Sequence, residues 1–167
     1  KELKEELTSA FQSGFSRLNL LGGEPTIRPD IIEILIHAKK TGFKHIMITT
    51  NGRMLAYSKF AREIIKTGIS QIVVSIHGPS AGIHDALTGC PGSFKQLIHG
   101  IENLKNEGFN NLGVNTTIVI QNYKQLPKIA DMLIGWNVKR AEFIYVAADL
   151  DRFALLTPRI SSAAPFI

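Results

Sequence analysis

A short apolar run, Leu18 to Leu21, ends in Gly22-Gly23-Glu24-Pro25-Thr26, and an apolar helical pattern follows. A strand that merely turns into a helix needs one glycine at most. Two in succession allow a ligand to approach the backbone closely. Phosphate is the wrong ligand for this segment, because Pro25 removes an amide donor and Glu24 repels an anion. Other polar or small residues stand where further apolar runs end: Thr50-Asn51, Ser75 with His77, the QN at Asn122, and Ala147 to Asp149. Asn115 and Thr117 are polar positions on one face of the run before QN. His84 and Asp85 are adjacent, so their side chains diverge and a direct dyad is not expected; they read as loop anchors.

The elements that position these residues are marked by their stops. Gly14-Phe15, Gly42-Phe43, Gly68-Ile69, Gly108-Phe109 and the variant Asn137-Val138 each follow a helical pattern and precede an apolar run. Glycine or asparagine there is the expected left-handed helix terminator. Ile31, Ile34, Leu35 and Ala38 form one helical stripe, and Phe94, Leu97, Ile98, Ile101 and Leu104 form another. Asp30 with Glu33 and Ser93 with Gln96 have capping-box spacing, and Asn122 is placed as a helix cap. The five runs RLNLL, HIMITT, QIVVSI, GVNTTIVI and AEFIYV are rich in β-branched residues and nearly continuous in apolarity, as parallel strands covered by helices are. Stops recur at about 26 to 29 residues, with one interval of about 40 that holds the insertion GPSAGIHDALTGCPG, a period that suits a βα unit. The expected fold is α/β, an incomplete TIM-like (β/α) barrel of parallel strands with outer helices. An open doubly wound sheet is the alternative, and it would want a phosphate loop after the first strand.

Composition narrows the function classes. With 167 residues and 44% hydrophobic content, one core domain over residues 1–150 and a C-terminal extension over 151–167 are expected. No apolar run reaches the roughly 18 residues that span a bilayer, and no signal-peptide pattern opens the chain, so a cytoplasmic protein without membrane association is expected. The net charge of +5 is spread over helix-to-strand junctions such as Lys39, Lys40, Lys44, Lys139 and Arg140, where cations complement helix dipoles, and nucleic acid is not an expected partner. The single cysteine, Cys90, excludes an internal disulfide and cannot build a cysteine-rich metal site.

With GGEPT at one strand end, TTNG at the next and SIHG at the third, the chain resembles the radical S-adenosylmethionine (SAM) superfamily from about Leu7 to Asp149. The segment SIHGPSAGIHDALTGCPGSF resembles the peptide-modifying and cofactor-maturing branch, although His77 stands where Asp is commoner. The resemblance implies a (β/α)6-type barrel whose first strand and cluster loop are missing here, the Cys-x-x-x-Cys-x-x-Cys ligands of a [4Fe-4S] cluster being expected upstream of Lys1. It implies an enzyme that cleaves SAM reductively to a 5′-deoxyadenosyl radical and abstracts hydrogen from a peptide or small-molecule substrate, with flavodoxin or ferredoxin as reductant. The 167 residues alone are then expected to be inactive. It assigns Gly22, Gly23, Glu24, Pro25 and Thr26 to the amino group of SAM. Thr50, with Asn51, and Ser75, with His77 on its face, are assigned to the carboxylate or ribose from the barrel interior. Asn115 and Thr117 go to ribose and adenine, and Val146, Ala147 and Ala148 to adenine through their backbone. No metal ligand is assigned within the chain, and no catalytic side chain. The competing readings are a cluster-free module that binds SAM or a nucleotide, and an ordinary (β/α) hydrolase or isomerase using Glu24, His77 and Asp149.

Overall fold

The computed structural model describes residues 2–145 and 156–166. Helices and strands alternate as the stops require: α1 Glu2–Gln12, β1 Arg17–Leu20, α2 Ile31–Thr41, β2 His45–Thr50, α3 Ser58–Lys66, β3 Gln71–Ser75, α4 Ala81–Thr88, α5 Ser93–Asn106, β4 Leu112–Ile118, α6 Leu126–Gly135 and β5 Arg140–Tyr145. The strands form one five-stranded sheet in the order β1-β2-β3-β4-β5. Registers of β1 with β2, β2 with β3 and β4 with β5 are parallel. A monotonic order is the barrel-like sequence of strands; a doubly wound sheet would reverse direction from its first strand. The sheet is not closed, since β1 and β5 stand at its two ends. No helix among the described residues is long and apolar enough to cross a membrane.

The chain clusters into two compact units, residues 1–74 with 96–112, and residues 75–95 with 113–167. The boundary expected at residue 150 lies outside the described residues, as do Val146, Ala147, Ala148 and Asp149.

In the first unit the α2 stripe, Ile31, Ile34, Leu35 and Ala38, is buried throughout, together with Ile46 and Ile48 of β2 and Ile72 and Val74 of β3. Gly42 closes α2 in the left-handed region at φ +118°, with its N–H donating to Ala38 and Lys39 carbonyls. A Cβ there would come within 2.5 Å of the Phe11 ring, which itself packs on Phe43 with centroids 5.5 Å apart. Glycine is required at this position twice over, by φ and by space. The Asp30–Glu33 capping box does not form. Asp30 makes no cap bond and instead holds Arg28 through two contacts of 3.0 Å, because a charged bidentate partner outcompetes a backbone N–H.

In the second unit Ile76, Val114, Ile118, Leu126, Ile129 and Leu133 form the apolar interior. The insertion folds as α4 and its flanking turns. Asn137, the one non-glycine stop, is also the one non-glycine residue with positive φ among those described, at +53°. The second capping box fails as well: Ser93 donates to Asp85 at 2.9 Å, while Gln96, in the first unit, accepts from Arg53 at 2.6 Å.

Candidate functional site

At the end of β1 the chain passes through Gly22 at φ +92° and Gly23 at φ +50°, and nothing lies within 4 Å of a Cβ built on either. Both are exposed, and neither has a backbone hydrogen-bond partner among the described residues. The left-handed backbone explains the choice of glycine, and the open side leaves its peptide groups accessible. Glu24 follows in extended conformation and caps a short 3-10 turn, Pro25–Ile27, whose Pro25 and Thr26 are buried.

The Glu24 carboxylate ties this loop to the end of β2. Its Oε1 accepts from the Thr26 N–H at 3.1 Å, the Thr26 hydroxyl at 2.5 Å and the Thr50 hydroxyl at 2.6 Å; its Oε2 accepts from the Asn51 N–H at 2.7 Å. Thr50 in turn accepts from the Gly52 N–H at 3.1 Å, and the Asn51 side chain accepts from the Arg53 N–H at 3.0 Å, an Asx turn. The structure therefore brings Gly22, Gly23, Glu24, Pro25, Thr26, Thr50 and Asn51 together.

Thr50 and Ser75 do not share a face, contrary to expectation. Thr50 pairs in register with Val74, and both are buried on the same side as Ile46 and Ile48; Ser75, the next residue of β3, alternates to the other side. Period-two spacing groups residues correctly, but it does not say which group the helices cover.

In the second unit the end of β3 is held from both sides. The His77 N–H donates to His84 Nδ1 at 3.1 Å, and the His77 carbonyl accepts from Asn122 Nδ2 at 3.0 Å. Asn122, fully buried, also donates to the Thr117 carbonyl at 2.8 Å and accepts from the Val119 N–H at 2.8 Å. It precedes the turn Tyr123–Gln125 but makes no side-chain cap bond there, so its expected role as a cap is replaced by that of a bracket between two strand ends. Such a role leaves little sequence signal beyond an asparagine after a strand.

The imidazole of His77 stacks on that of His84 at 5.8 Å, and burial lowers its pKa. Burial and the neighbouring His77 push His84 down to about 4 against the opposing pull of Asp85, so its Nδ1 is an unprotonated acceptor at neutral pH. Asp85 is the cap of α5, accepting from the Phe94 N–H at 2.7 Å, the Gly92 N–H at 2.6 Å and the Ser93 hydroxyl. These bonds, Phe94's foremost, hold its carboxyl below the usual range. The adjacent His84 and Asp85 thus act as two separate anchors, as their divergence requires. Asn115, in the amide orientation that satisfies both of its ends, donates to the Val114 carbonyl and to Glu142 Oε2, each at 3.2 Å. Ser75, Thr117 and the His77 ring make no side-chain hydrogen bond among the described residues.

A [4Fe-4S] cluster does not fit this chain. Its one cysteine, Cys90, lies half-buried between α4 and α5, and no group of three or more His, Cys, Asp or Glu could hold a metal among the described residues. An ammonium-bearing ligand fits the glycine loop better, since that loop offers a carboxylate and unpaired peptide groups in open space.

Comparison with known proteins assigns the chain to a family. The chain is 29% identical over 150 residues to the AdoMet-dependent heme synthase of Nitratidesulfovibrio vulgaris, covering 87% of this chain and 38% of that protein. It is 31% identical over 131 residues to the AdoMet-dependent heme synthase of Methanosarcina barkeri, covering 78% of this chain and 37% of that protein. The chain thus spans under two fifths of the length of these relatives. Its fold matches that of anSMEcpe, solved with bound AdoMet and Cp18Cys peptide, with TM-score 0.72 at 17% identity over 89% of this chain and 43% of that one. The Radical SAM superfamily pattern matches residues 1–133, most of the chain and all of the glycine loop and β2 end, and the chain belongs to the radical SAM superfamily.

Proposed function

We propose that this chain is the SAM-binding part of a radical SAM enzyme and that Gly22 to Thr26 receive the amino end of SAM. One observation carries the reading: two consecutive exposed glycines with positive φ and open space beside them adjoin a carboxylate whose orientation is set by four donors. The resemblance likewise gives Ser75, with His77, to the carboxylate or ribose of SAM, Asn115 and Thr117 to ribose and adenine, and Val146 to Ala148 to adenine. SAM held at Gly22 to Thr26 would supply radical chemistry for hydrogen abstraction once reductively cleaved. This chain's own contribution is to bind and orient SAM, since the thiolates for a cluster have to come from outside its 167 residues. Heme-synthase relatives favour a cofactor precursor as substrate, and the peptide-bound fold neighbour favours a peptide; the reductant would be a flavodoxin or ferredoxin of the cytoplasm.

Anaerobic reconstitution of the full-length protein with iron and sulfide, followed by a dithionite-driven assay for 5′-deoxyadenosine, tests the activity before any substrate is known. The single cysteine favours a second reading, a cluster-free SAM-binding module, which a full-length sequence without the three-cysteine motif would support. Glu24→Ala tests the site itself. One charge-assisted hydrogen bond is worth roughly 1.5–3 kcal/mol, so SAM affinity should fall about ten- to a hundredfold with any cluster retained. Unchanged affinity would return Glu24 to a plain turn.

A further inference from the structure

We propose that Thr26 and Thr50 are positioning residues of the SAM site and act through Glu24. The proposal rests on the reading that Gly22 to Thr26 receive the SAM ammonium. A carboxylate has two oxygens with about four lone-pair sites between them. Oε1 is filled beyond its share by the Thr26 N–H and the hydroxyls of Thr26 and Thr50, whereas Oε2 takes, among the described residues, the Asn51 N–H alone. The remaining acceptor site is therefore on Oε2, and a ligand's N–H is directed to that oxygen.

Neither threonine has much else to offer a ligand. Thr50 is 3% exposed, its proton goes to Glu24 and it accepts the Gly52 N–H; Thr26 is 2% exposed and its proton also goes to Glu24. The two hydroxyl oxygens lie 3.4 Å apart, so donors from two chain segments converge on one carboxylate oxygen. The terminal torsion of glutamate is broad and roughly two-fold, and a carboxylate with fewer donors on one side could exchange its oxygens between loop and ligand. Two buried hydroxyls on Oε1 prevent that exchange. A ligand then meets an acceptor already oriented, and the ordering cost is met by the fold rather than by binding.

The test is SAM titration of the full-length protein carrying Thr50→Val, Thr50→Ser, Glu24→Ala, or Thr50→Val with Glu24→Ala. Thr116→Val serves as the control, because Thr116 is also a buried strand threonine and its hydroxyl has no partner among the described residues. Thr50→Val should weaken SAM binding about three- to tenfold, the range of one hydrogen bond. Thr50→Ser should restore affinity to within about twofold, and Thr116→Val should leave it unchanged. In the Glu24→Ala background, Thr50→Val should cost no further affinity, which a purely structural threonine would not reproduce.

Wild-type affinity in folded Thr50→Val protein, or an equal loss with and without Glu24, overturns the proposal. Should Thr50→Val lack a cooperative thermal transition, Thr26→Val against Thr26→Ser carries the same test on the same oxygen. Failure of the wild-type protein to bind SAM sinks the site reading itself, a result distinct from either.

Discussion

Gly23→Ala separates a ligand-binding loop from an ordinary turn. In the free protein the new methyl meets nothing within 4 Å, so its cost is confined to the backbone at φ +50°. The left-handed region costs an L-residue about 1–2 kcal/mol, and loss of unfolded-state freedom returns about 0.4–1 kcal/mol, leaving a net destabilisation of about 1 kcal/mol. A ligand lying against the peptide groups of Gly22 and Gly23 meets that methyl directly. Moving it by even a few tenths of an ångström misaligns its bond to Glu24, and a loss of about 1.4 kcal/mol or more, tenfold in affinity, is expected. Urea unfolding of the chain and SAM titration of the full-length protein read the two quantities separately. A destabilisation of about 1 kcal/mol with unchanged SAM affinity would refute the reasoning, because the glycine would then serve the turn alone. A loss above about 3 kcal/mol would refute the open geometry beside it.

Gly42→Ala should show the opposite profile. Its methyl would enter the Phe11 ring at 2.5 Å, so urea unfolding should reveal a loss of about 2–4 kcal/mol, and SAM affinity of the folded full-length protein should be unchanged. His84 gives a pH dependence whose sign is fixed: its folded pKa of about 4 lies below the unfolded value of about 6.5, so the unfolded state binds more protons between them and stability falls as pH drops through that window. Urea titrations of His84→Asn, which keeps an acceptor near the His77 N–H, should show a flatter slope over the same range; an unchanged slope would assign the dependence elsewhere.

The strands and their order were legible because the helix stops are local. Gly14, Gly42, Gly68, Gly108 and Asn137 all adopt positive φ, and each needs only its own helix to do so. The turn at the end of β1 was legible for the same reason, Gly22 and Gly23 both adopting positive φ. What escaped depends on partners distant in sequence or on choices between competing partners. Asp30 had capping spacing but took Arg28, and Ser93 had it too but gave its hydroxyl to Asp85, which supplies the acceptors for α5 from within α4. Thr50 shares a face with Ile46 and Ile48 as period two requires, but that the helices cover this face is a tertiary fact. Asn122 bonds to His77, 45 residues earlier, and no local pattern announces that.

Among the described residues Glu24 and Asp85 each gather several donors, and their charges are answered differently. Asp85 takes the N–H groups of Gly92 and Phe94 at the start of α5, a 14-residue helix whose N-terminal dipole favours an anion. That arrangement is complete without a ligand, because every helix start has orphaned donors to satisfy. Glu24 caps only a three-residue 3-10 turn, too short to present a comparable dipole, and among the described residues no lysine, arginine or histidine forms an ion pair with it. Its neighbours orient the carboxylate through neutral groups and leave its charge unmatched beside exposed, unpaired glycine peptides. A half-buried anion in that setting can accept a cation brought from outside. Under the proposed function the ammonium of SAM is that cation, and the charge at the β1 end serves its recognition while the same carboxylate ties the loop to β2.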